Sequence, residues 1–167
     1  MTVAVILGSA SDLPIARKVA QTLDELGIQY EVTVSSAHRS PERTEQLARE
    51  LEQRGFAVAI CIAGMAAHLA GVVAAHTVLP VVGVPTSGGA LGGQDALLAT
   101  VQMPPGVPVA TVGIDAGRNA ALLAAEILAL GDEALRERLR EMRRKLAQGV
   151  EEAAAKVQKA IRENAQQ

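Results

Sequence analysis

The run AVAICIA, residues 57–63, is apolar throughout. A strand with one wet face alternates apolar and polar side chains, whereas a short unbroken apolar run fits a strand buried on both faces. A sheet containing such a strand has to be covered on both sides. The flanking sequence supplies the cover, because strand-like and helix-like stretches alternate along the chain. Strands are expected at 3–7, 30–35, 57–63, 80–84 and 109–114, and helices at 13–26, 41–54, 66–76, 94–101 and 119–130. Alternation of this kind builds right-handed βαβ units around a parallel sheet. The expected fold class is therefore α/β, a doubly wound three-layer α/β/α sandwich with a five-stranded parallel sheet. The pattern leaves the order of the strands open.

A chain of 167 residues, 49% of them apolar, suits one domain and leaves no room for a second core. From Asp132 onward the character changes. Leu135, Leu139, Met142, Leu146, Val150, Val157 and Ile161 form an apolar stripe on an otherwise charged helix. Such a stripe either folds back on its own sheet or docks on another subunit. The need to cover exposed apolar surface favours docking. The expectation is a single domain, 1–167, made of an α/β core over 1–131 and a helical extension over 132–167 that packs on a neighbouring subunit of a homo-oligomer.

Composition removes several functions. There is no Trp, one Tyr (Tyr30) and one Phe (Phe56), which argues against sandwiching a flavin ring or stacking single-stranded bases. Cys61 is alone, so neither a disulfide framework nor a cysteine metal cluster is expected, and a reducing cytoplasm is the natural setting. The opening MTVAVILGSASD lacks a basic leader region and is not expected to be a signal peptide. The apolar stretch 72–84 is broken by His76, Thr77 and Pro80 and is too short to span a bilayer. Of the sixteen basic residues nine lie in 132–167 among seven acidic ones. Residues 1–131 thus carry seven basic and eleven acidic side chains, net −4, a poor surface for nucleic acid.

In open parallel sheets the ligand crevice lies outside the carboxyl ends of the strands. The loops to read are therefore GSASD (8–12), SAHRS (36–40), GMAAHL (64–69) and PTSGGALGGQD (85–95). In GSASD, Gly8 permits close backbone approach, the serines offer donors to a phosphate or sugar oxygen, and Asp12 can accept from ribose hydroxyls. Plain helix capping by Ser11 or Asp12 explains the same residues. The segment matches neither GxxxxGK[ST] nor GxGxxG, so ATP and NAD lose support. In SAHRS, Ser40-Pro41 reads as an N-cap and first helical residue, which leaves His38 and Arg39 in the loop. Arg39 and Arg118 are the core's basic residues expected in loops after strands, and a forked guanidinium suits an anionic group. His38 can give and take a proton near neutral pH; a surface histidine touching a helix end is the plainer reading. His68, expected in the first turn of the third helix, is either a hydrogen-bonding partner for substrate or a packed side chain. His76, at that helix's end, is expected to be structural. No HxxxH, CxxC or compact carboxylate cluster occurs, so no metal is expected. A phosphoacceptor receiver domain is disfavoured because strand 3 ends in Ala63-Gly64 rather than an acidic residue.

Taken together, GSASD, SAHRSP, AAHL and VQMPPGVPVATV resemble the N5-carboxyaminoimidazole ribonucleotide mutase family of purine biosynthesis, class I, over about residues 3–130. The resemblance implies a flavodoxin-like sandwich assembled as an octamer, acting on a small-molecule ribonucleotide without cofactor or metal. By position it implies that Ser9 and Asp12 bind substrate, that Arg39 holds its phosphate, and that Ser36 and Ala37 line the same pocket. Ser11, Gly64, Ala67 and Leu69 complete the expected substrate-binding set, with His38 and His68 as the catalytic pair. Where the family commonly reads GGAAHLPG, this chain has Met65 for a glycine and Ala70 for the proline. The glycine content of 86–93 suggests a mobile loop. The rivals are the related carboxylase that uses carbon dioxide directly, and a catalytically silent nucleotide-binding module.

Overall fold

Strands β1 (Thr2–Leu7), β2 (Gln29–Val34), β3 (Phe56–Gly64), β4 (Val81–Thr86) and β5 (Ala110–Thr111) form one parallel sheet in the order β2-β1-β3-β4-β5. The computed structural model describes residues 2–164 and divides into two units, Met1–Leu128 and Ala129–Gln167. The apolar run at 57–63 lies within β3, the middle strand, between β1 and β4. Val58, Ala59, Ile60 and Ile62 are fully buried, as a strand covered on both faces requires.

The helices of the first unit are α1 (Leu13–Glu25), α2 (Pro41–Glu50), α3 (Leu69–Ala74), α4 (Gln94–Val101) and α5 (Gly117–Leu128). Helices α1 and α5 pack together, while α2 and α3 meet each other. Ala48, Leu51, Leu69, Ala70 and Val73 share one cluster with Ala4, Ile6, Ala59 and Cys61 of the sheet. Side chains alternate along a strand, so the intervening residues of β3 face the other helix layer. Cys61 is buried deeply enough that its thiol pKa is pushed up to about 12, which makes it an inert packing group.

Several elements differ from the sequence expectation, β2, β5 and α3 most instructively. β2 is an edge strand with Val32 and Val34 half exposed. β5 shrinks from the expected 109–114 to two residues, although Val112 still donates to the Gly83 carbonyl at 3.1 Å. α3 begins at Leu69 rather than 66, because Met65 takes a left-handed conformation, φ +56°, and opens a turn first. That conformation is costly for residues other than glycine.

The second unit contains α6 (Glu133–Asn164), capped where the Leu135 amide donates to Asp132 Oδ1 at 2.9 Å. Arg140 and Arg144 bridge to Glu137 at 3.2 and 2.7 Å and hold its carboxyl below the usual range. Leu146, Val150, Val157 and Ile161 are exposed along this helix. No helix among the described residues is long and apolar enough to cross a membrane.

Candidate active site

The strand order reverses between β1 and β3, and at such a reversal two neighbouring loops diverge and leave a crevice. Here the loops after β1, β2, β3 and β4 surround a cleft of about 610 Å³.

The loop after β2 is drawn tight by its own serines. The Ser40 amide and hydroxyl both donate to the Ser36 carbonyl, at 2.9 and 3.1 Å. Ser40 occupies the N-cap position of α2 but its side chain does not cap the helix; it serves this turn instead. A buried contact of 2.8 Å between the Ser35 and Thr44 hydroxyls ties the base of the loop to α2. The turn presents His38 and Arg39 to the cleft. Arg39 Nη2 donates to the Gly8 carbonyl at 3.1 Å and Nε to Ser36 Oγ at 3.3 Å. Two of five guanidinium N–H donors are thereby used, and the rest are available to a ligand. Arg118, the other cation expected in a loop, lies instead in α5, 3.8 Å from Glu25.

After β1, Ser9 caps a short 3-10 turn (Ala10–Asp12) with its hydroxyl, accepting from the Ser11 amide at 3.3 Å. Asp12 Oδ2 accepts from the Ser9 amide at 3.0 Å, so the two form a reciprocal capping box. Capping at this point was expected from Ser11 or Asp12; Ser9 performs it because its extended backbone aims the hydroxyl at the turn. Asp12 is only 7% exposed, and burial raises its carboxyl pKa against the lowering pull of the Ser9 and Ser11 hydrogen bonds.

After β3 the turn through Met65 delivers His68 as the N-cap residue of α3, not as a first-turn residue. From there it meets His38 across the cleft. His38 Nε2 and His68 Nδ1 are 2.5 Å apart, with the rings nearly perpendicular and their centroids separated by 4.7 Å. One nitrogen must donate and the other accept. Two facing N–H groups cannot occupy that distance.

The remaining wall comes from the loop after β4. Asp115, itself at φ +56°, donates its amide to the Pro85 carbonyl and accepts from the Ser87 amide, both at 2.9 Å. The far end returns to the same place: a Cβ on Gly93, at φ +87°, would lie 2.9 Å from both the Thr86 carbonyl and Ile114 Cγ2. The loop is thus closed at its base against residues 114–115.

Of the residues expected at the site, Ser9, Ser11, Asp12, Ser36, Ala37, His38, Arg39, Gly64, His68 and Leu69 all line this cleft. Ala67 does not; it is buried, with its amide turned to the Met65 carbonyl. Sequence reasoning missed Thr86, Gly88 and Gly89, which also line it. Their loop, 85–95, was expected at the crevice from its place after β4, but its glycine content was read as mobility and no residue of it was singled out. Among the described residues no group of three or more His, Cys, Asp or Glu is placed to hold a metal ion.

Fold and site together define a doubly wound α/β protein whose crevice sets acid–base side chains beside an anion-ready arginine. A family model described as AIR carboxylase matches residues 2–149, and the chain belongs to that family. It is 49% identical over 156 residues to the N5-carboxyaminoimidazole ribonucleotide mutase of Pyrococcus horikoshii, covering 93% of this chain and 88% of the relative. It is 51% identical over 130 residues to the phosphoribosylaminoimidazole carboxylase of Candida albicans, covering 78% of this chain and 23% of that longer one. Among solved structures it is similar to Treponema denticola PurE, with a TM-score of 0.81, 30% identity, and coverage of 93% and 97% of the two chains.

Proposed function

We propose that the protein is a mutase of purine biosynthesis that converts N5-carboxyaminoimidazole ribonucleotide to 4-carboxy-5-aminoimidazole ribonucleotide. The observation that carries this reading is the His38–His68 couple beside Arg39 in one cleft. Arg39 holds the phosphate, leaving the heterocycle to the histidines. In a water-poor pocket the substrate's carbamate is disfavoured relative to neutral carbon dioxide. The N–C bond breaks with its electrons on nitrogen, and His38 supplies the proton that nitrogen takes. The electron-rich ring carbon then attacks the trapped carbon dioxide, forming the C–C bond. His38, now neutral, removes the proton from that carbon and restores aromaticity. The proton given in the first half is recovered in the second, and His68 keeps the shuttling ring in place through their shared hydrogen bond.

Incubation with the carbamate substrate, without ATP, should yield the isomerised product, followed by its absorbance; no product would overturn the proposal. The Candida relative's name favours one alternative, direct carboxylation of aminoimidazole ribonucleotide. Bicarbonate-dependent product from that ribonucleotide, with none from the carbamate, would establish it instead.

The same reading places the enzyme in the cytoplasm as a homo-oligomer, an octamer as in the family resembled, with its α6 extension covered by neighbouring copies. The exposed row Leu146, Val150, Val157 and Ile161 supports this. Light scattering should report a multiple of the chain mass; the mass of one chain would rule assembly out.

A further inference from the structure

Thr86 ends β4 and is only 6% exposed, yet its hydroxyl has no hydrogen-bond partner among the described residues. The one fully enclosed side-chain atom left unpartnered among the described residues is Asp95 Oδ1, so the Thr86 hydroxyl is reached from the cleft it lines. The oxygen sits over Gly64, where an added Cβ would approach it to 2.5 Å, and 3.8 Å from a Cβ built on Gly88. Both glycines line the cleft, as does Thr86 itself. The backbone on either side of Thr86 is fixed by one residue, since Asp115 bonds to both Pro85 and Ser87. An unpartnered donor, held rigidly with glycine beside it, is built to meet a ligand.

Its position says which end of the ligand. The Arg39 guanidinium is bonded at the end of β1, and β4 lies two strands further along the sheet. At about 4.8 Å per strand the two groups stand roughly 10 Å apart across the cleft. A ribonucleotide with its phosphate at Arg39 directs its heterocycle away from that residue. Resting on the function proposed above, we infer that the Thr86 hydroxyl donates a hydrogen bond to the carboxylate on the substrate's heterocycle. It is a substrate-contact and specificity residue rather than a proton carrier.

The test is calorimetric titration of the full-length chain with 4-carboxy-5-aminoimidazole ribonucleotide and, separately, with ribose 5-phosphate. Thr86→Val should lose about tenfold in affinity for the carboxylated ribonucleotide and nothing for ribose 5-phosphate, and Thr86→Ser should restore binding. Thr86→Ala provides a second hydroxyl-free variant if valine does not fit beside Gly64. Unchanged affinity in the hydroxyl-free variants, or equal loss for both ligands, overturns the inference. If the unsubstituted protein turns over the carbamate substrate while that happens, the functional reading stands and this inference alone falls. If the unsubstituted protein neither turns over nor binds the ribonucleotide, both fall.

Discussion

Replacing His38 by asparagine is expected to lower kcat about a thousandfold while leaving ribonucleotide affinity within a small factor of its original value. Asparagine is polar and smaller than histidine, but it cannot carry a proton in one direction and then the other. In the proposed function phosphate binding rests on Arg39, whose guanidinium is held by Gly8 and Ser36 rather than by His38. Chemistry and binding should therefore separate. The measurement is steady-state turnover with the carbamate substrate beside calorimetric binding of the product. A variant retaining more than a tenth of the turnover would remove His38 from the proton path.

Arg39→Lys should do the opposite, raising KM ten- to a hundredfold with a smaller change in kcat, the size expected for losing hydrogen bonds to a charged group. Charge is kept, so a purely electrostatic role would leave KM nearly unchanged. What lysine lacks is the planar fork. In the structure that fork spends Nη2 on the Gly8 carbonyl and Nε on Ser36 Oγ, which fixes the plane in which the other donors point. An ammonium on a flexible stem cannot make both anchors and also grip a phosphate. A KM equal to that of the unsubstituted enzyme would mean that the phosphate is held elsewhere, the Ser9–Asp12 turn being the nearest alternative.

The central strand was readable from residues 57–63 because burial on both faces leaves a mark in every residue type along it. The His38–Arg39 loop was readable because a proline starts the next helix and the carboxyl ends of parallel strands converge. What stayed hidden depended on geometry with no compositional trace. The run AAHLAG reads as helix, but a left-handed Met65 uses up three residues before α3 begins and leaves His68 at the N-cap. The contact between His38 and His68, thirty positions apart, exists only once β1 lies between β2 and β3. Thr86 needed more still, since its setting against Gly64 depends on β3 and β4 being neighbours, and the pattern left strand order open. Arg118 misled for a smaller reason: α5 starts two residues earlier than its apolar spacing suggests and takes the arginine into the helix.

Every residue lining the cleft falls before residue 90, although the first unit runs on to Leu128 and the helix α6 beyond it. Mutation can therefore work on the two ends of the gene under different selection. Substitutions in the later segments reach the cleft indirectly, as at Asp115, which holds Pro85 and Ser87 at the base of the loop after β4. A contiguous site of this kind is also easily inherited whole. In the Candida relative the matching stretch is less than a quarter of a longer chain.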